Sequence, residues 1–139
     1  MYLLSSVVAL LLFALGVVLW RLQLFAKRHF EVAEQALTAF YKASDAISML
    51  RNPIIRAEEQ ASIELPKDLS KDDQDRLRLY NVYTGRAQAG ASDFSELRTA
   101  QIVARVHFGQ ATADIMNVLF RARWEVMYAA RELQLGAAV

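Results

Sequence analysis

Few residues in this 139-residue chain are of types that do chemistry, and their spacing does not bring them together. There are two histidines, His29 and His107, and no cysteine. Neither histidine has a second ligand four residues away, the spacing that puts two metal donors on one helix face. His29 reads as a residue at headgroup level and His107 as a helix-flank residue, so no metal and no cofactor is expected. The acidic positions Asp68, Asp72, Asp73 and Asp75 suggest a calcium loop. That loop needs glycine at its sixth position and glutamate at its twelfth. Counting from Asp68, those places hold Asp73 and Leu79. Ser70 followed by three aspartates instead marks a helix start, where a serine cap and the helix dipole both favour acidic neighbours. There is no glycine-rich phosphate loop and no GxSxG elbow. No catalytic residue is therefore expected, and the chain does not read as an enzyme.

One further cluster mixes basic and aromatic residues: Arg121, Arg123 and Trp124, followed by Tyr128 and Arg131. Single-stranded nucleic acid is bound by such mixtures, and so is a membrane surface. A formal net charge of only +1 argues against a nucleic-acid partner. The N-terminus decides the matter. Residues 2–20 read YLLSSVVALLLFALGVVLW, without a charge. About 20 apolar residues are what a helix needs to cross a hydrocarbon core of about 30 Å. Tyr2 and Trp20 stand at the two ends, where amphipathic rings favour the headgroup region. A cleaved signal peptide would carry a positive start, a shorter apolar run and small residues at the cut, whereas Leu19, Trp20 and Arg21 occupy that place. A buried core helix would be amphipathic, and this run is apolar all round. The lipid bilayer is thus the first expected partner.

Arg21, Lys27 and Arg28 follow the span and no basic residue precedes it. That asymmetry predicts an exported N-terminus and a cytoplasmic C-terminal domain. The three charges read as a topology signal rather than a site for anionic lipid, which takes four to eight clustered basic residues. Charge is unevenly spread. Residues 21–52 hold five Lys/Arg against three Asp/Glu, 53–96 six against nine, and 97–139 five against three. Basic ends and an acidic middle suit a hairpin whose tip points away from an anionic surface.

The elements that must position all this are helices. The predicted fold class is all-α, with one transmembrane helix (1–20) continuous with a cytoplasmic antiparallel hairpin or three-helix bundle (21–139). Helices are expected at about 21–51, 71–88 and 94–135, with a short turn around 57–62. Residues 22–50 contain no Gly or Pro, and Asn52 before Pro53 ends the helix. Span and segment then form one helix of about 50 residues, projecting roughly 45 Å beyond the membrane. Its seam is read as Phe30, Ala33, Leu37, Phe40, Ser44 and Ile47, a period of 3.5. The third helix carries Leu97, Gln101, Ala104, Phe108, Ala111, Ile115, Val118 and Ala122, then skips by four to Val126, Ala129 and Leu133. Gly109 inside it marks a bend or a close contact. If that helix runs straight back antiparallel to the first, Trp124 returns to the level of Trp20 as a second interfacial anchor.

The residues Phe40, Tyr41, Ala43, Asp45, Ala46, Ile47, Arg51 and Pro53 form an FYxAxDAIxxxRxP pattern. It resembles small, N-terminally anchored helical proteins of proteobacteria of uncharacterised function. The resemblance implies a bacterial inner-membrane setting and transfers no functional residue. The expected role is structural or adaptor-like: an anchored module that self-associates or holds a protein partner. The other reading is an accessory subunit of a larger membrane complex.

Overall fold

The computed structural model describes the backbone of residues 2–61, 63, 65–66 and 68–136, and side chains within 11–134 other than 60–62, 64 and 67. Five helices follow one another: α1 (Tyr2–Arg51), α2 (Ala57–Ala61), α3 (Lys71–Ala89), α4 (Ala91–Phe108) and α5 (Gln110–Gly136). The described residues are all-helical apart from their connections.

α1 is continuous for 50 residues, roughly 75 Å at 1.5 Å per residue. It stops at Arg51 because the residue before Pro53 resists the α conformation. The Asn52 carboxamide then holds the connection by accepting from the Ile54 amide at 2.9 Å. α3 starts where Ser70 caps it, its hydroxyl accepting from the Asp73 amide at 3.2 Å. At Gly90 the chain passes into α4 without reversing. A Cβ on Gly90 would lie 3.0 Å from the Ala46 Cβ, so the close approach to α1 needs a glycine there.

α4 runs antiparallel to α1. Lys42 meets Glu96 at 2.9 Å near the upper end, and the His29 and His107 rings meet at 5.2 Å near the lower. The α1 seam is made of Val32, Ala36, Ala39, Ala43, Ile47 and Leu50, each no more than 8% exposed. Opposite them lie Phe94, Leu97, Gln101 and Ala104 of α4. Small residues on one helix admit large ones on the other, and the helices interlock at close range.

The buried α1 seam steps by 4, 3, 4, 4 and 3, the period of a straight helix rather than the expected 3.5, and of the expected line only Ile47 lies fully within it. Phe30 is 71% exposed and Leu37 57%, while Phe40 is partly buried and Ile47 buried. The bulky stripe lies on the flank of α1, because α4 brings its own bulk and selects the alanine stripe as its partner. Leu97 is fully buried as expected, whereas Phe108 keeps 39% exposure at the end of α4.

The expected single helix over 94–135 is two helices. Gly109 adopts φ 88°, ψ 178°, a conformation almost confined to glycine. The chain reverses there, and α5 runs back antiparallel to α4 and then α3. Gln101 donates from Nε2 to the Ala113 carbonyl and to Asn117 Oδ1, both at 2.7 Å. Phe94 packs on Phe120 with centroids 5.8 Å apart, and Arg123 reaches the Ala87 carbonyl at 3.4 Å. The reversal also shifts the buried face of α5 to Ala113, Met116, Leu119 and Ala130. Ile115 and Val118, expected on the seam, are 62% and 63% exposed. The result is a bundle of α1, α4 and α5, with α3 continuing the line of α4 beyond the end of α1.

In urea unfolding of the full chain in mild detergent, Leu97→Ala is expected to cost about 2–5 kcal/mol as a cavity in the core. Phe30→Ala should stay within about 0.5 kcal/mol, as an exposed position does. Equal losses would place Phe30 inside after all. Gly109→Ala is expected to cost about 1–3 kcal/mol from backbone strain alone, because open space surrounds the new methyl group.

Candidate functional site

Three places in the fold gather polar or aromatic side chains. The first is the crossing of α1, α2 and α3, held by Arg86. Its guanidinium donates to the carbonyls of Asn52 at 2.5 Å and Ile54 at 2.7 Å, with a weaker approach to that of Met49 at 3.4 Å. The same group grips Glu59 with two bonds, Nε to Oε1 and Nη2 to Oε2, both 2.8 Å. Helix ends leave carbonyls without partners, and here a side chain 32 to 37 residues further on supplies the donors. The Glu59 carboxylate is pulled down to about 2 by those bonds from Arg86 and by the Arg56 amide, which donates to it at 2.9 Å. This is a structural tie. Nothing in the sequence signals it, since Arg86 and Glu59 lie 27 positions apart and belong to no local pattern.

The second place is the outer end of α5. Trp124 stacks on Tyr128 at 5.2 Å, and the pair borders a shallow groove with Tyr80, Met127 and Arg131. Tyr80 belongs to α3, so this groove lies towards the end of the molecule away from His29. Trp124 therefore does not share the level of Trp20. Because the chain reverses at Gly109, it stands about 14 residues, roughly 20 Å, up α5 from that turn. The hairpin geometry that paired the two tryptophans is corrected by the reversal. Arg123, from the same basic stretch, lies over the Phe94 ring at 4.6 Å and so belongs to the core edge.

The third place is the lower end of α4, where the two histidines meet although 78 residues separate them in the chain. His29 packs edge-on against His107 at 5.2 Å and against Phe108 at 5.6 Å. Below them a groove of about 480 Å³ is lined by Trp20, Arg21, Leu24, Phe25, Arg28, His29 and His107. Lys27 pairs loosely with Glu31 at 3.9 Å. Among the described residues Arg21 and Arg28 have no carboxylate partner. Sequence spacing could not join His107 to His29, because only the antiparallel return of α4 does so.

The acidic positions resolve into ordinary helix chemistry. Asp73 closes the Ser70 cap, and Asp75 pairs with Arg78 at 3.3 Å. Among the described residues there is no group of three His, Cys, Asp or Glu that could hold a metal ion. Of the expected interface residues, Tyr2 lies outside the described side chains, and Trp20, Arg21, Lys27 and Arg28 are all exposed on α1. Among the described residues no helix is long and apolar enough to cross a membrane. The described side chains begin at Leu11, partway through the apolar run.

No family model, no curated protein and no solved structure matches this chain. The FYxAxDAI pattern has a local explanation in the fold. Ala43 and Ile47 are buried in the core, Ala46 faces Gly90, and Pro53 opens the segment that Arg86 holds.

A carboxylate whose folded pKa is depressed stabilises the fold above its ordinary value near 4.5 and loses that contribution as pH falls towards about 2. Thermal melts of the full chain should therefore lose stability over that window. Glu59→Gln should flatten the loss there while lowering the melting temperature at neutral pH. An unchanged acid slope in the variant would show that Glu59 is not the group responsible.

Proposed function

We propose that the protein is a membrane-anchored helical scaffold that presents one apolar flank to a protein partner, the first candidate being a second copy of itself. The observation that carries this reading is a pair of stripes, on α1 and α5, that meet in one groove at one end and expose large apolar side chains along the rest. On α1, Phe30, Leu37, Ser44 and Arg51 recur every seven residues, so they lie along one line of the helix. On α5, Ile115 and Val118 share a stripe with Val126, Ala129 and Leu133. Arg51, Val126, Ala129 and Leu133 line the same α1–α5 groove. Further along the same two stripes, Phe30, Leu37, Ile115 and Val118 are between 57% and 71% exposed. An apolar band of this extent marks an interaction surface.

The anchor is supported by exposure as well as composition. Every described residue from 11 to 31 is exposed, and 11–20 carry no charge. Leu11, Leu12, Phe13, Leu15, Leu19 and Trp20 all exceed 55% exposure around the helix. A helix apolar on every side is stable when lipid surrounds it. With Arg21, Lys27 and Arg28 on the inner side, the bundle stands in the cytoplasm, in keeping with an inner-membrane setting. The role is tethering and assembly; accessory membership of a larger membrane complex would use the same flank.

Two measurements test this. A reporter fused after Val139 should behave as cytoplasmic, and alkaline-phosphatase activity from that fusion would overturn the orientation. Because the chain has no cysteine, Leu37→Cys in membranes should form disulfide-linked dimers on mild oxidation, while Thr99→Cys, on the opposite side of α1–α4, should not. Equal crosslinking at both positions would mean random collision. If neither position crosslinks, the flank does not meet a second copy.

A further inference from the structure

The stripe of α1 that α4 covers does not end where α4 ends. Val32, Ala36, Ala39 and Ala43 are its covered part. Stepping down by 4, 3 and 4 from Val32, the same stripe continues through Arg28, Phe25 and Arg21. α4 stops at Phe108, where Gly109 turns the chain away. The lane is therefore packed by a helix above His29 and open below it, and its open part alternates arginine, phenylalanine and arginine. His107 overhangs it from the last turn of α4, a turn that also carries Arg105.

We propose that this groove binds the phosphodiester headgroup of an anionic phospholipid. This rests on the anchored reading above. Arg21 and Arg28 stand seven residues apart on one face, about 10 Å, so both guanidiniums can converge on an anion between them. Guanidinium is the donor best matched to phosphate oxygens. His107 adds a ring N–H from above, and the Leu24, Phe25 and Trp20 walls suit the glycerol and the upper acyl chain. Electrostatics agree. The groove's described lining carries Arg21, Arg28, His29 and His107 and no carboxylate, and the Glu31 carboxylate nearby is paired with Lys27. Three basic residues in sequence fall short of an anionic-lipid cluster, but the return of α4 sets His107 beside Arg21 and Arg28 in one groove with an apolar wall. A free phosphate ester offers the same chemistry, but it would leave the apolar wall without a partner.

The full chain, purified in mild detergent, is titrated separately with phosphatidylglycerol and phosphatidylcholine, and retained lipid is read by native mass spectrometry. Phosphatidylglycerol should be held several-fold more tightly, and Arg21→Gln with Arg28→Gln should bring the two lipids to parity. Each arginine is expected to be worth about five-fold, the attraction of one basic residue to an anionic surface. Arg121→Gln, a distant exposed position on α5, should leave the preference unchanged. Equal loss in that control, or no preference in the wild type, would overturn the site. Displacement of the bound lipid by millimolar inorganic phosphate would overturn the lipid as the ligand. Flotation with pure phosphatidylcholine vesicles tests the anchor independently. A chain that floats but shows no headgroup preference refutes the site alone, and a chain that does not float with the vesicles refutes the anchor.

Discussion

The close approach of α1 and α4 governs the rest of the fold. Ala36, Ala39 and Ala43 on one side and Gly90 at the upper end let the helices approach closely, and the larger side chains of α4 fill the space the alanines leave. Each buried alanine removes little apolar area from water, so the interface depends on contact density rather than on bulk. Once the alanine stripe is chosen, the bulky residues of α1 must go elsewhere. Phe40 reaches only the edge of the core, and Phe30, Leu37 and Tyr41 are turned outward. The apolar flank of the protein thus follows from how its tightest contact is built.

Polar groups decide how the second hairpin sits on the first. Gln101 is 1% exposed and fully satisfied, with Arg98 donating to its oxygen at 2.8 Å and its amide bridging to α5. A slip of α5 by one turn would leave those groups buried without partners, which costs more than the bonds contribute. Arg98 over Phe120 at 4.3 Å and Arg123 over Phe94 at 4.6 Å hold the two helices from either side. Arg86 does similar work at the far end of α1, where it joins three segments at once.

What could be read from the sequence was local. Pro53 sets the end of α1 and Ser70 the start of α3 through the conformations of one or two residues, and both are legible without a partner. That α1 carries a helical seam was also legible. Its phase was not, because Phe30 and Leu37 look more like core than Ala36 and Ala39 until the residues of α4 are set against them. Gly109 was visible as a break or a contact, yet nothing local says that the chain reverses there. That single dihedral moved Trp124 to the other end of the bundle and exposed Ile115 and Val118. The histidine pair and the Arg86 tie depend on the path of the whole chain, so no window of sequence contains them.

The sudden end of α4 beside His29 also has a mechanical side. Above that level α1 is splinted by two further helices, and below it α1 continues as one rod with every described residue exposed. Stiffness against bending rises steeply with the spread of material about an axis, so a triple-thickness shaft flexes far less than a single helix. Any bending of the chain is thereby concentrated in the turns of α1 just below His29, the stretch that carries Arg21 and Arg28.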